Sequence, residues 1–70
     1  MMPLTMARAG DTVTIRKING KDETRQHLAA MGFVECGLVT VVSELAGNLI
    51  LQVKESRIAL DRSMANRIMI

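Results

Sequence analysis

Seventy residues, 49% of them hydrophobic, with nine Lys and Arg against seven Asp and Glu for a net charge of +2, hold one core and leave little backbone to frame a deep catalytic cleft. A single cysteine excludes the internal disulfide framework on which secreted domains of this size rely, so a reducing, cytoplasmic setting is expected. No window approaches the ~20 apolar residues of a membrane span, the N-terminal residues lack a signal-like apolar stretch, and the only aromatic residue, Phe33, offers no stacking platform for nucleic-acid bases.

Thr12 to Arg16 alternates, with Val13 and Ile15 on one face and Thr12, Thr14 and Arg16 on the other, which predicts a first strand. Asn19-Gly20 breaks it. Asp22 is placed to cap a following helix and Glu23 to favour its dipole. That helix is expected over about Asp22 to Met31, with Thr24, Leu28 and Met31 on one stripe. Gly32 ends it in the left-handed conformation, and Phe33 folds back on the last turn. Leu38–Glu44 and Asn48–Lys54 are strongly β-prone and joined by Leu45-Ala46-Gly47. A tight turn at Lys54-Glu55-Ser56 leads to a short strand with Ile58 and Leu60 inward. Asp61 reads as the N-cap of a helical turn over Arg62 to Ala65, ended by Asn66. Ile68 and Ile70 then alternate in a terminal strand expected to close the sheet against the first.

About five short strands, with one α-helix after the first and a short helical turn before the last, predict a mainly β chain folded as an SH3-like small barrel, one domain spanning residues 1–70. An OB-fold places its main helix between the third and fourth strands, so the element order argues against it. The two central strands are apolar on both faces. If Val39, Val41, Leu49, Leu51 and Val53 fill the core, then Leu38, Val42 and Ile50 belong to the opposite face. The helix is expected to cover some of that face, and the remainder to form an apolar partner-binding patch.

Residues suited to chemistry are few. His27, Glu35 and Cys36 are the unusual ligand types, but their spacing matches no structural or catalytic zinc pattern. His27 is expected partly exposed on the helix and Cys36 semi-buried. A nucleophilic role for Cys36 would need a neighbouring base and an electropositive setting, whereas its neighbour is Glu35. The five glycines stand singly where turns are needed, so no phosphate cradle is present. The six methionines are dispersed as core filling or pliable contact surface, and Arg57, Arg62 and Arg67 with Asp61 among them make a solvated face. No catalytic residue, cofactor or metal site is expected.

The run Leu4 to Gly10-Asp11, then Val13-x-Ile15-x-x-Ile18-x-Gly20, then Arg25-x-x-Leu28-x-x-Met31-Gly32-Phe33 resembles the ferrous iron transport protein A (FeoA) family. Val39-Thr40-Val41-Val42, Gly47-Asn48-Leu49-Ile50, and Ile58-Ala59-Leu60 followed by Ala65-x-x-Ile68-x-Ile70 extend the resemblance over nearly the whole chain. It implies an SH3-like barrel and a cytoplasmic accessory protein. The implied partner is a membrane ferrous-iron transporter with a GTP-binding domain, the B component of that system. The sequence departs from the family at the helix exit, where Leu-Gly-x-x-x-Gly is usual, often with Pro before the second Gly. Here Glu35 stands at the Pro position and Cys36 at the Gly position, and Gly37 is expected to absorb the irregularity by shifting the turn one residue.

The same barrel occurs as the C-terminal domain of iron-dependent repressors, which keeps a regulatory domain binding a peptide or nucleic acid as the alternative, and a metal-carrying chaperone ranks below both. The absence of a helix-turn-helix ahead of the barrel favours the transport accessory. Weak self-association of the chain is kept beside the transporter as a second contact.

Overall fold

Branched aliphatics recurring at every second residue drive the chain into extended structure, and the computed structural model, which describes residues 1–70, has six strands where five were expected. They are β1 (Thr12–Thr14), β2 (Lys17–Ile18), β3 (Leu38–Leu45), β4 (Asn48–Val53), β5 (Ser56–Asp61) and β6 (Ile68–Met69). Helix α1 (Asp22–Ala30) lies between β2 and β3, α2 (Arg62–Ala65) lies between β5 and β6, and a 3-10 turn over Leu4–Met6 precedes β1. An antiparallel sheet has the order β1-β3-β4-β5, and β2 pairs with β6 in a second, two-stranded sheet.

The extra strand arises because the expected first strand divides between the two sheets. Ile15 N–H donates to the Gly37 carbonyl at 2.9 Å and its own carbonyl accepts from Cys36 N–H at 2.8 Å, whereas the next residue, Arg16, donates to the Met69 carbonyl at 2.8 Å. The chain turns the barrel's corner within one peptide, as closure of a small sheet demands. The terminal strand therefore closes mainly on β2, not on the first strand. Met2 and Ile70 exchange backbone hydrogen bonds of 3.0 and 2.7 Å on the other side of β6, so the N-terminal segment extends that sheet.

Helix α1 starts differently from expectation and ends as expected. Its N-cap is Lys21, in extended conformation and without a side-chain cap bond, so Asp22 is the first helical residue and not the cap. Asp22 and Glu23 in the first turn still meet the positive end of the dipole. At the other end Met31 is the C-cap and Gly32 has φ +102°. Gly32 N–H donates to Ala29 at 2.9 Å and Phe33 N–H to Leu28 at 3.0 Å, the two bonds of a Schellman motif. Leu28 and Phe33, its apolar pair, are both fully buried. A Cβ on Gly32 would stand 2.9 Å from Val53 Cγ1, so the same glycine also lets the helix exit approach β4.

Two short hairpins build the large sheet. Leu45 pairs with Asn48, which reduces the expected Leu45-Ala46-Gly47 connection to Ala46-Gly47. Both turn residues have positive φ, 52° and 82°, the signature of a type I′ turn. Val53 pairs with Ser56 around Lys54-Glu55, with Lys54 at φ 53°. Asp61 caps α2 as expected, its carboxylate accepting from Met64 N–H at 2.8 Å. Thirteen buried residues form one cluster that includes Val39, Val41, Leu49, Leu51, Val53 and Leu60 from the central strands. Of the expected helix stripe only Leu28 is buried, Thr24 and Met31 being half-buried, and Leu4 from the N-terminal turn is fully enclosed.

Candidate partner-binding surface

Residues paired across antiparallel strands share a face, so the register assigns the outer side of the large sheet. One row runs Thr12, Thr40, Gln52, Arg57. It is polar and knit together, the Thr12 and Thr40 hydroxyls lying 2.9 Å apart and Arg57 Nε donating to Gln52 Oε1 at 3.1 Å. The next row runs Ser43, Ile50, Ala59. Between Val41 and Ser43 the register shifts by a bulge, with Val42 the extra residue beside Ile50. Leu38 pairs with Thr14 at the far end and is 63% exposed.

All three residues expected to bind the partner are thus outside the core, but the face is not one apolar patch. Val42 and Ile50 adjoin and are half-buried, while Leu38 is set apart by the Thr40–Gln52 row. Gln52 and Thr40 give these strands a polar side, where apolar residues were expected on both faces. Ser43 and Ala59, on either side of Ile50, are exposed, so α1 does not lie over this row as anticipated.

A groove of about 430 Å³, which no sequence signal announced, lies between α1 and the loop after it, with Ile18, Ala29, Phe33 and Val34 lining it and Asp22, Arg25 and Glu35 adding charge. The loop closes as a turn in which Gly37 N–H donates to the Val34 carbonyl at 3.0 Å and Cys36 takes φ 68°. A positive φ at the third residue marks a type II turn, which explains why a family pattern of Pro then Gly suits these two positions. Two expectations are corrected here. Cys36 is exposed, not semi-buried, and it carries the left-handed backbone itself, since Gly37 does not have positive φ. The Ile15 carbonyl anchors Cys36 N–H, which holds the turn in place, and a Cβ on Gly37 would come 3.0 Å from the Val34 carbonyl oxygen. Cys36→Gly is expected to raise the unfolding free energy by about 1 kcal/mol, the left-handed strain relieved outweighing the added freedom of the unfolded chain. An unchanged or lower denaturation midpoint would contradict it.

His27 is exposed on α1, Glu35 and Cys36 are exposed in the turn, and no group of three His, Cys, Asp or Glu side chains is gathered anywhere in the chain. Anaerobic calorimetry with Fe²⁺ or Zn²⁺ is expected to show no complex tighter than about 1 µM. A one-to-one complex above that affinity, weakened by Cys36→Ser and His27→Ala, would reinstate a metal site. Among the arginines, Arg62 meets Glu44 at 3.2 Å with both side chains about half exposed, a surface pair of small energetic weight.

The strand order, the helix inserted after β2 and the single helical turn before β6 define an SH3-like small barrel. The FeoA domain family matches residues 2–70, and the chain belongs to that family. It is 33% identical over 70 residues to "Putative Fe(2+) transport protein A" of Methanocaldococcus jannaschii, covering all of this chain and 85% of that protein. Among solved structures, an iron uptake regulatory protein (FeoA) superposes with a TM-score of 0.88 at 31% identity, over 97% of this chain and 90% of the other. The zinc complex of Stenotrophomonas maltophilia FeoA, described as an SH3 domain protein, superposes at 0.85 with 24% identity, over 99% and 88%. A manganese-dependent transcriptional repressor shares the fold over 38% of its length, with a TM-score of 0.83 and 23% identity over 94% of this chain.

Proposed function

We propose that this chain is a non-enzymatic, cytoplasmic accessory protein of ferrous-iron uptake that docks on the cytoplasmic, GTP-binding region of a membrane ferrous-iron transporter and shifts its conformational equilibrium. The observation that carries this reading is the FeoA match across residues 2–70. No helix is long and apolar enough to cross a membrane, and in this reading the transport path belongs to the partner. The ungathered His27, Glu35 and Cys36 give the adaptor no chemical group to insert, so its effect comes from binding one partner conformation better than another. Docking is assigned to the outer sheet face around Val42 and Ile50, with Leu38 at its margin.

The test is direct binding to the transporter's cytoplasmic region combined with an uptake assay. Val42 lies at a bulge outside the regular pairing, and Ile50 points away from the core. Val42→Lys and Ile50→Lys are therefore expected to keep native circular dichroism while losing binding and uptake support. Folded variants with full activity would overturn the assigned surface, and failure of the unaltered protein to bind the transporter would overturn the function.

A further inference from the structure

The edge of the large sheet at β5 is unpaired, and its chemistry selects an occupant. β5 runs for six residues beside β4 without a bulge, from Val53↔Ser56 to Asn48↔Asp61. Hydrogen-bonded and non-hydrogen-bonded pairs alternate along an antiparallel ladder, and a two-residue hairpin is closed by a hydrogen-bonded pair, here Val53 and Ser56. The backbone groups of Ser56, Ile58 and Leu60 therefore point to β4, and those of Arg57 and Ala59 point away from it. Neither Arg57 nor Ala59 makes a backbone hydrogen bond outside the ladder, and β5 is the last strand of its sheet. The strand carries no Pro and no bulge, and of the usual protections of an exposed edge it has only two charges, Arg57 and Asp61, which are of opposite sign.

We infer that this edge pairs with the same edge of a second copy of the chain, antiparallel about a two-fold axis at Ala59. That register sets Arg57 opposite Asp61 of the partner subunit, and the symmetry repeats the pairing on the other side. Arg57, Ala59 and Asp61 are all exposed, and the small Ala59 lets the strands approach at the axis. Arg57 Nε is held by Gln52 and Asp61 Oδ1 by the Met64 N–H, which leaves the terminal guanidinium nitrogens and Asp61 Oδ2 to meet across it. On the inner side, half-buried Ile58 comes beside Leu60 of the partner subunit in a pair without backbone hydrogen bonds, where side chains lie closest. No other alignment of β5 with itself satisfies both charges and covers Ile58. The two four-stranded sheets become one continuous sheet. The contact is small, so the dimer is weak and forms at high concentration.

The test is sedimentation equilibrium with amide nuclear magnetic resonance on the intact chain across about 20 µM to about 1 mM, the range in which so small an interface associates. The average mass should rise toward that of a dimer while the Arg57 and Ala59 amide signals move. Ala59→Lys sets two ammonium groups opposite each other at the axis, and Arg57→Asp faces Asp61 of the partner subunit with a like charge. Each should weaken association at least about tenfold, with circular dichroism confirming the fold, whereas Glu55→Lys in the adjoining turn should not. A mass that stays monomeric at the highest concentration, signals that move at α1 instead of β5, or folded Ala59→Lys and Arg57→Asp variants that associate like the unaltered chain would each overturn the inference.

Discussion

Leu28→Ala is expected to lower the unfolding free energy by about 2–5 kcal/mol, the cost of removing a fully enclosed branched side chain and leaving a cavity. Leu28 has no solvent exposure and sits where α1 meets the core. It also contributes the carbonyl that accepts from Phe33 N–H, so its side chain and backbone anchor the same junction. A domain of this size holds a total stability near the lower end of about 5–15 kcal/mol. The substitution therefore removes a large fraction of the whole. Gln26→Ala, on the exposed side of the same helix, is expected to be nearly silent. Equal chemical-denaturation midpoints for the two variants would show that the buried stripe of α1 is misassigned.

Gly32→Ala is expected to cost about 2–4 kcal/mol, for two separable reasons. The left-handed backbone at φ +102° penalises any residue with a Cβ by about 1–2 kcal/mol. The new methyl would also stand 2.9 Å from Val53 Cγ1, and Val53 is buried in the core and has little room to move. Gly47 separates the two terms. Its φ is +82° but nothing lies within 4 Å of a Cβ built there, so Gly47→Ala should show the backbone cost alone. Denaturation midpoints that fall equally for the two glycine variants would remove the steric part of the explanation and leave only the turn conformation.

Much of the local structure was legible in the sequence because it depends on neighbours within a few residues. The Gly32-Phe33 helix exit and the Asp61 cap each follow from one residue type at one place in a turn. Alternation in the expected strands Leu38–Glu44 and Asn48–Lys54 pointed Val39, Val41, Leu49, Leu51 and Val53 toward the core, where all five are buried, since side chains on a strand repeat every second residue. The motif order also identified the family, because its spacing pattern runs through nearly the whole chain.

What alternation does not encode is which strand lies beside which, and the tertiary structure decided everything that rests on that. The division of the first strand follows from the backbone bonds of Ile15 to Gly37 and Cys36 and of Arg16 to Met69, residues distant in sequence from it. The polar row from Thr12 to Arg57 exists only because four strands place one polar residue each in register, which breaks the apolar face that two strands read in isolation had suggested. Leu4 is enclosed because the barrel closes over the N-terminal turn, and Cys36 takes a left-handed backbone because its N–H is held by Ile15 across the fold. The sequence by itself determined the elements and their inward faces, which are local and periodic. The register, the corner between sheets and the open β5 edge are properties of the closed barrel, set by contacts that form only when distant segments meet.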